Sequence, residues 1–422
     1  MTGGPVTGHP DRLDGPAVRV ARLAGHGLRG AGAADVPAAV GHLLAVQAQE
    51  FRASLWGLAS RCGPGGGPVP TAAEALRAFD AGEVLRTHVL RPTWHLVLPD
   101  DVRGLLELSA PRVHRAASGM YRQEGLDERT RGRAAEALAT AAAGAPVTRA
   151  EAAQVLASGG FPSSGNALTY LLMSAELDRA IVSGPVRGRR HTYAPFDERV
   201  PPAPGSAGAG ESLGLTRAAD ERVDVPGRAR DRALTKVARR YLAARGPATA
   251  KDLATWSGFT LTEVRRALAA LAEHGAAAAR PGAGVLDGLE LWTAAPSRQA
   301  GPGRASRREV PVVDLLQGYD EYVVSYTQSR GVVLEGLGAA PGDRPGTALA
   351  LESRAAVDGV GPYLHAVTVD GIVVGRWKTT VSARELVVDA QWYRAPSGSV
   401  RAALAAEVDR MAAHHGLAGA LR

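Results

Sequence analysis

The chain has 422 residues, too many for one ordinary hydrophobic core, so roughly two to four modules are expected. Its formal net charge is +7, almost all of it on arginine because lysine stands only at Lys236, Lys251 and Lys378. This suits an anionic partner such as nucleic acid, although an Ala/Gly/Arg-rich composition gives the same balance unaided. Cys62 is the only cysteine, which excludes a disulfide framework and a four-cysteine iron–sulfur cluster.

Residues 1–13 read as a loose Gly/Pro-rich tail without the apolar stretch of a signal peptide. No run approaches roughly eighteen apolar residues, so a cytoplasmic, nucleoid-associated location with no membrane contact is expected. A first helix is expected near Val18–Leu23. Asp35 then suits an N-cap and Pro37 the first turn of a second helix. Along that helix Val40, Leu43, Leu44 and Gln47 fall at i, i+3, i+4 and i+7, so an apolar stripe ends in an amide. Two residues two apart share a side in extended chain but not in a helix. If Gln47 and Gln49 serve one site, the helix should end near Val46 and the chain run extended through Gln49. Spacing alone favours a simpler reading, in which Gln47 satisfies a neighbouring backbone group and Gln49 is solvated.

Thr71 to Glu74 has the spacing of a capping box, and Val84 to Leu98 reads as two short strands about Arg91-Pro92. That order, helices then hairpin, is the order of a winged helix. It returns with the capping box Thr148 to Glu151, a helix from Ser163 to Glu176, and a hairpin of Ile181–Ser183 with His191–Tyr193. It returns again with helices at Ala233–Ala244, Thr249–Trp256 and Thr260–Glu273, and wing strands from Val285 to Thr293. Beyond Val310 the pattern turns β-rich at Val310–Leu315, Tyr322–Tyr326, Val332–Leu334, Ala366–Val369, Ile372–Trp377 and Leu386–Trp392. An Asp370-Gly371 turn lies among these runs, and one helix near 397–415 closes the chain. The expected class is α+β: three tandem winged-helix (helix-turn-helix) modules over 14–125, 126–200 and 227–300, with a Pro/Gly-rich linker at 201–226. A β-rich C-terminal domain with a terminal helix follows over 301–422.

Several of these stretches occur together in one known family. The Gln47-Ala48-Gln49 motif follows a Leu-rich helix, and Leu90-Arg91-Pro92-Thr93-Trp94-His95-Leu96-Val97 comes some forty residues later. Then follow Ile181-Val182-Ser183-Gly184, Gly246-Pro247-Ala248-Thr249, Trp256-Ser257-Gly258, Gly318-Tyr319-Asp320-Glu321-Tyr322 and Val374-Gly375-Arg376-Trp377. In this ordered set the chain resembles the AlkZ/YcaQ family of winged-helix DNA glycosylases. Gln rather than Asp at the second motif position resembles the AlkZ-like members, which implies excision of bulky or crosslinked N7-alkylated purines.

The resemblance implies catalytic roles for Gln47 and Gln49. An N7-alkylated purine is already a good leaving group, so amides that only orient a water would suffice. Glu50 is a rival base one step along the chain. Thr93, His95 and Asp320 are candidates for support of the site, although Thr93 and His95 also read as a satisfied pair within a sheet. Candidate DNA contacts are Arg91, Arg187, Arg189, Arg190, Arg265, Arg266, Arg330, Arg376 and Lys378. No metal site or cofactor is expected, since the histidines are scattered. Lys251 and Lys378 are the only candidates for a covalent amine route, and neither is expected to react. The expected partner is double-stranded DNA carrying alkylated purines, bound by a monomer, in DNA repair or self-resistance to a genotoxic product. A winged-helix regulator and a non-catalytic binder of lesions or drugs are the alternatives.

Overall fold

The structure is a computed structural model that describes residues 12–64, 67–200, 228–295, 310–335 and 365–422. Most of the expected tail, and the whole linker expected at 201–226, lie outside the described residues.

The chain opens with α1 (Gly15–Gly25), capped by Asp14, and α2 (Val36–Leu43), capped by Asp35 with Pro37 in its first turn. Next come β1 (Val46–Gln47), α3 (Phe51–Ala59), α4 (Ala72–Ala81) and the hairpin β2 (Leu85–His88) and β3 (Trp94–Val97). A long helix α5 (Pro99–Gln123) leads to α6 (Glu128–Ala142), β4 (Val147–Thr148), α7 (Arg149–Ser158), α8 (Gly165–Leu177), β5 (Ile181–Ser183), β6 (Thr192–Pro195) and α9 (Phe196–Arg199). After the linker stand α10 (Ala229–Arg245), α11 (Ala250–Ser257), α12 (Leu261–Glu273), β7 (Ala277–Pro281) and β8 (Glu290–Ala294). The last part holds β9 (Val313–Leu316), α13 (Glu321–Val324), α14 (Gly331–Leu334), β10 (Ala366–Val369), β11 (Ile372–Val381), β12 (Glu385–Trp392), α15 (Gly398–His414) and β13 (Ala418–Leu421).

One order of elements occurs three times: helix, short strand, two helices, hairpin. The short strand pairs with the second hairpin strand, giving sheets β1-β3-β2 and β4-β6-β5. In the third unit it shrinks to a single bridge from Ala248 to Trp292 beside β7-β8. The capping boxes expected at Thr71 and Thr148 form, and Thr249 and Thr260 open their helices with capping boxes as well. The last part is a five-stranded sheet, β13-β12-β11-β10-β9, antiparallel except between β12 and β13. Leu404, Val408 and Met411 of α15 share its core with Trp56 of α3. The helix that follows the Gln-x-Gln motif is therefore anchored to the C-terminal sheet, and the Trp56 indole donates to the Leu315 carbonyl at 2.8 Å.

Several expectations need correction. α2 stops at Leu43 rather than near Val46, because Leu44 takes a left-handed conformation (φ 66°) and turns the chain into β1. Gln47 thus lies on a strand and does not end a helical stripe. Tyr322–Tyr326 and Val332–Leu334 belong to helical turns rather than strands: Asp320 accepts from the Tyr322 N–H and caps the first of them. The first strand of the third wing is Ala277–Pro281, an Ala-rich run with weak β preference, while Val285 lies in a single 3-10 turn. No helix among the described residues is long and apolar enough to cross a membrane.

Candidate active site

The chain around Gln47 is held from three directions. Across the sheet, Gln47 is in register with His95, and His95 with Thr87, so these three side chains rise from one face. Arg86, Trp94 and Leu96 occupy the other face, where the Arg86 guanidinium carbon lies 4.3 Å from the centre of the Trp94 ring. Beneath the strand, the Gln47 N–H donates to Glu321 Oε1 at 2.8 Å. The second Glu321 oxygen accepts from Arg245 (2.9 Å), the Trp256 indole (2.8 Å) and the Ser325 hydroxyl (2.7 Å). Arg245 also donates to the Leu43 and Ala45 carbonyls, on either side of the left-handed Leu44. A charged pair from α10 and α13, fully enclosed, therefore fixes the turn that presents Gln47. These donors hold the Glu321 carboxyl down at about 2 against its burial.

Both amides reach the β2–β3 hairpin. Gln47 Oε1 accepts from Arg91 Nη2 at 3.3 Å, and Gln49 Oε1 accepts from the Trp94 N–H at 3.1 Å. The ladder opens here. The Ala48 N–H still donates to the Trp94 carbonyl (2.8 Å), but the reciprocal bond is replaced on both sides. Gln49 takes the Trp94 N–H, and Arg86 Nε takes the Ala48 carbonyl at 2.9 Å. Gln47 is only 6% exposed, while Gln49 is exposed. The Gln47 amide nitrogen is not among the buried atoms without a partner, so the tip of this nearly enclosed side chain keeps contact with solvent. Each carbonyl oxygen carries a second lone pair beyond the one its protein donor uses.

Around these amides, Thr87 Oγ1, Thr93 Oγ1 and His95 Nε2 are buried without a protein partner. His95 Nδ1 meets the Thr93 carbonyl at 2.9 Å, so Nδ1 carries the proton and Nε2 is an acceptor. Burial, then the nearby Arg91 charge, push the His95 imidazole down to about 3, which keeps it neutral near pH 7. Glu50 is turned away and pairs with His365 at 2.8 Å.

Over residues 40–414 the chain matches the family described as DNA glycosylase AlkZ-like. It is a member of the AlkZ-like DNA glycosylase family. The family activity makes it a hydrolase acting on N-glycosidic bonds of DNA. A solved structure, the Streptomyces sahachiroi DNA glycosylase AlkZ, shares its fold with a TM-score of 0.67 at 21% identity, covering 97% of this chain and 99% of that one. No curated protein matches the sequence.

In this AlkZ-like chain the other candidates separate into groups. Asp320 lies next to Glu321 but turns to Arg61, which donates to both of its oxygens at 2.7 and 3.1 Å. Of the two adjacent carboxylates, it is Glu321 that meets the Gln47 backbone. Arg187, Arg189 and Arg190 are exposed on the β5–β6 turn, with Arg187 paired to Glu151 at 2.7 Å. Arg265 and Arg266 are exposed on α12, and Arg266 pairs with Asp231 at 2.8 Å. Arg330 donates to the Tyr326 carbonyl, Arg376 to Gln391, and Lys378 is exposed on β11. No group of three or more His, Cys, Asp or Glu side chains among the described residues could hold a metal ion. Sequence reasoning quoted Glu321 in its motif but gave the supporting role to the adjacent Asp320, and it missed Arg245 and Arg86, which lie far apart in sequence and carry no spacing signal.

Proposed function

We propose that the protein is a monofunctional glycosylase that uses water to release bulky or crosslinked N7-alkylated purines from double-stranded DNA. The product is an abasic site with an intact backbone. The observation that carries this reading is the pair of amide carbonyls on one extended segment, both brought to the hairpin Arg91–Trp94. Among the described residues no carboxylate is free there, because Glu50 is held by His365 and Glu321 is spent on Gln47's backbone, Arg245, Trp256 and Ser325. Amides orient a water without deprotonating it, which serves only a substrate whose bond to the sugar is already weak. A cationic N7-alkyl purine is such a substrate and an unmodified base is not, so a weak catalyst confers selectivity. His95, Thr87 and Thr93 support the same corner with hydrogen-bonding capacity that the protein leaves unused. Lys251 on α11 and Lys378 on β11 stand on elements outside the hairpin, which favours water over an amine as nucleophile.

The test is release of free base from an oligonucleotide carrying an N7-alkylguanine. The wild type should release it, and a Gln47→Ala, Gln49→Ala variant should be slower by about 10²-fold or more. Borohydride should trap no protein–DNA adduct. Full activity in the double variant, or a trapped adduct, overturns the reading.

A further inference from the structure

We propose that Arg86, Arg52 and His191 form a phosphate-binding site on the face of the hairpin opposite Gln47, and that it holds a DNA backbone phosphate beside the reacting nucleotide. This rests on placing the reaction at Gln47 and Gln49.

Arg86 is 8% exposed, yet no carboxylate among the described residues bonds it. Its Nε is committed to the Ala48 carbonyl, and its guanidinium lies over the Trp94 ring and 5.8 Å from the centre of the Phe51 ring. The two Nη groups make no hydrogen bond and are not among the buried unpartnered atoms, so they reach solvent from an otherwise enclosed side chain. The acidic group that acts most strongly on Arg86 is Glu176, and that carboxylate is bound to the ring and backbone N–H of His88. A buried guanidinium without a counter-charge is costly, and burial pulls Arg86 down to about 10. Such a group is retained where an anion arrives to complete it.

Its arginine neighbours add charge of the same sign, and His191 adds a neutral ring. The His191 ring packs 4.5 Å from the Phe51 ring, and burial, then the charges of Arg86 and Arg52, push it down to about 4. Arg52 is exposed and makes no ion pair. It belongs to the first turn of α3, whose N-cap, Glu50, makes no side-chain capping bond because its carboxylate is turned to His365. Free backbone N–H groups at that end favour an anion as well. Arg189 and Arg190, exposed and directly before His191, extend the positive strip outward along the second wing. The strip ends at Ala48, between the two glutamines. A phosphate seated on the Arg86 fork thus fixes the strand against the carbonyl that links Gln47 to Gln49, and seats the sugar without touching the base.

The experiment measures binding of the full chain to a duplex with a tetrahydrofuran abasic analogue, across a salt series. Arg86→Met should weaken Kd about tenfold and lower the slope of log Kd against log salt by about 1, as expected for one lost phosphate contact. A scan with neutral methylphosphonate linkages should find one position, within two nucleotides of the analogue, that costs the wild type as much and costs Arg86→Met nothing further. Should Arg86→Met not fold, Arg52→Ala takes its place, since its exposed side chain bonds nothing and its removal should lower the slope and the methylphosphonate penalty alike. An unchanged Kd and slope in the folded variant, or penalties that add fully at every position, overturns the proposal. Base release by wild type that survives loss of both glutamines would sink the catalytic assignment instead, and leaves the salt and methylphosphonate results to judge the phosphate site by themselves.

Discussion

At the scale of single residues, Glu321 has the most consequential set of partners. One oxygen meets the Gln47 N–H, and the other is ringed by three donors from Arg245, Trp256 and Ser325. Every donor faces an acceptor, as a buried charge requires. Replacement by glutamine keeps the size and breaks this pattern whichever way the amide turns. If its oxygen faces the three donors, its NH2 meets the Gln47 N–H, donor against donor. If it is flipped, the three donors lose their acceptor, and in either orientation Arg245 loses its counter-charge. Glu321→Gln should therefore fold but release the clamp under Gln47, lowering the single-turnover rate by tenfold or more while DNA affinity changes little. Glu321→Ala leaves Arg245 buried and unpaired, at a cost of roughly 3–5 kcal/mol, and should show mainly as lost stability. Single-turnover base release alongside thermal unfolding separates the two. A Glu321→Gln variant with the wild-type rate would mean that the strand needs no such anchor.

At the scale of elements, the hairpin Leu85–Val97 is shaped by segments well outside the first module. Leu90 is left-handed (φ 65°), its N–H donates to Ser109 of α5 at 3.0 Å, and its carbonyl faces Gly258 at the end of α11. Gly258 is itself left-handed (φ 73°), and a Cβ added there would come within 2.7 Å of the Leu90 carbonyl oxygen. Gly258→Ala should therefore cost more than about 1 kcal/mol and push the segment that carries Arg91. Lower Tm with a slower chemical step is expected, and an unaltered rate at reduced stability would uncouple α11 from the site. How much of this was legible beforehand follows from what each feature depends on. The capping boxes at Thr71 and Thr148 were readable because their partners are three residues apart, and the hairpin because its strands are neighbours. The end of α2 was not, since nothing in a leucine announces a left-handed turn, and Arg245 holds that turn from 200 residues away. Nor was the role of Glu321, whose bond to Gln47 spans 274 residues. The helices α5 and α6 fell in a stretch rich in arginine and alanine, with Pro111 inside α5, where no strong apolar period stands out.

At the scale of the whole molecule, several arginines and histidines turn inward. Arg22, Arg61, Arg240 and Arg245 are buried, and each bonds backbone carbonyls of a distant segment, so these arginines knit modules together. More carboxylates than arginines are buried among the described residues, so the positive excess is not lost from the surface. Histidines buried in the same seams make the assembly sensitive to acid. His26 is enclosed against Tyr326 and among Arg245, Arg61 and Arg22, which hold it well below its ordinary value. His95 is pushed down to about 3 and His414 to about 4, burial being the main cause for each. In the unfolded chain each takes up a proton near pH 6.5, so the unfolded state binds more protons as pH falls below that value. Their contribution is present in full above pH 6.5 and declines toward the folded values, by up to about 1.4 kcal/mol per pH unit for each group. Glu407 opposes them: burial raises it to about 7, so its contribution grows as pH falls from 7 to its ordinary value. Three groups outweigh one. The net loss, up to roughly 3 kcal/mol per pH unit between pH 6 and 5, is large against a total stability of about 5–15 kcal/mol. Denaturant unfolding at pH 7.5, 6.0 and 5.0 should show the midpoint dropping at each step, and His95→Asn, which keeps a neutral side chain, should flatten that drop by about half. A midpoint that holds steady from pH 7.5 to 5.0 would mean that these histidines take up their protons within the folded protein.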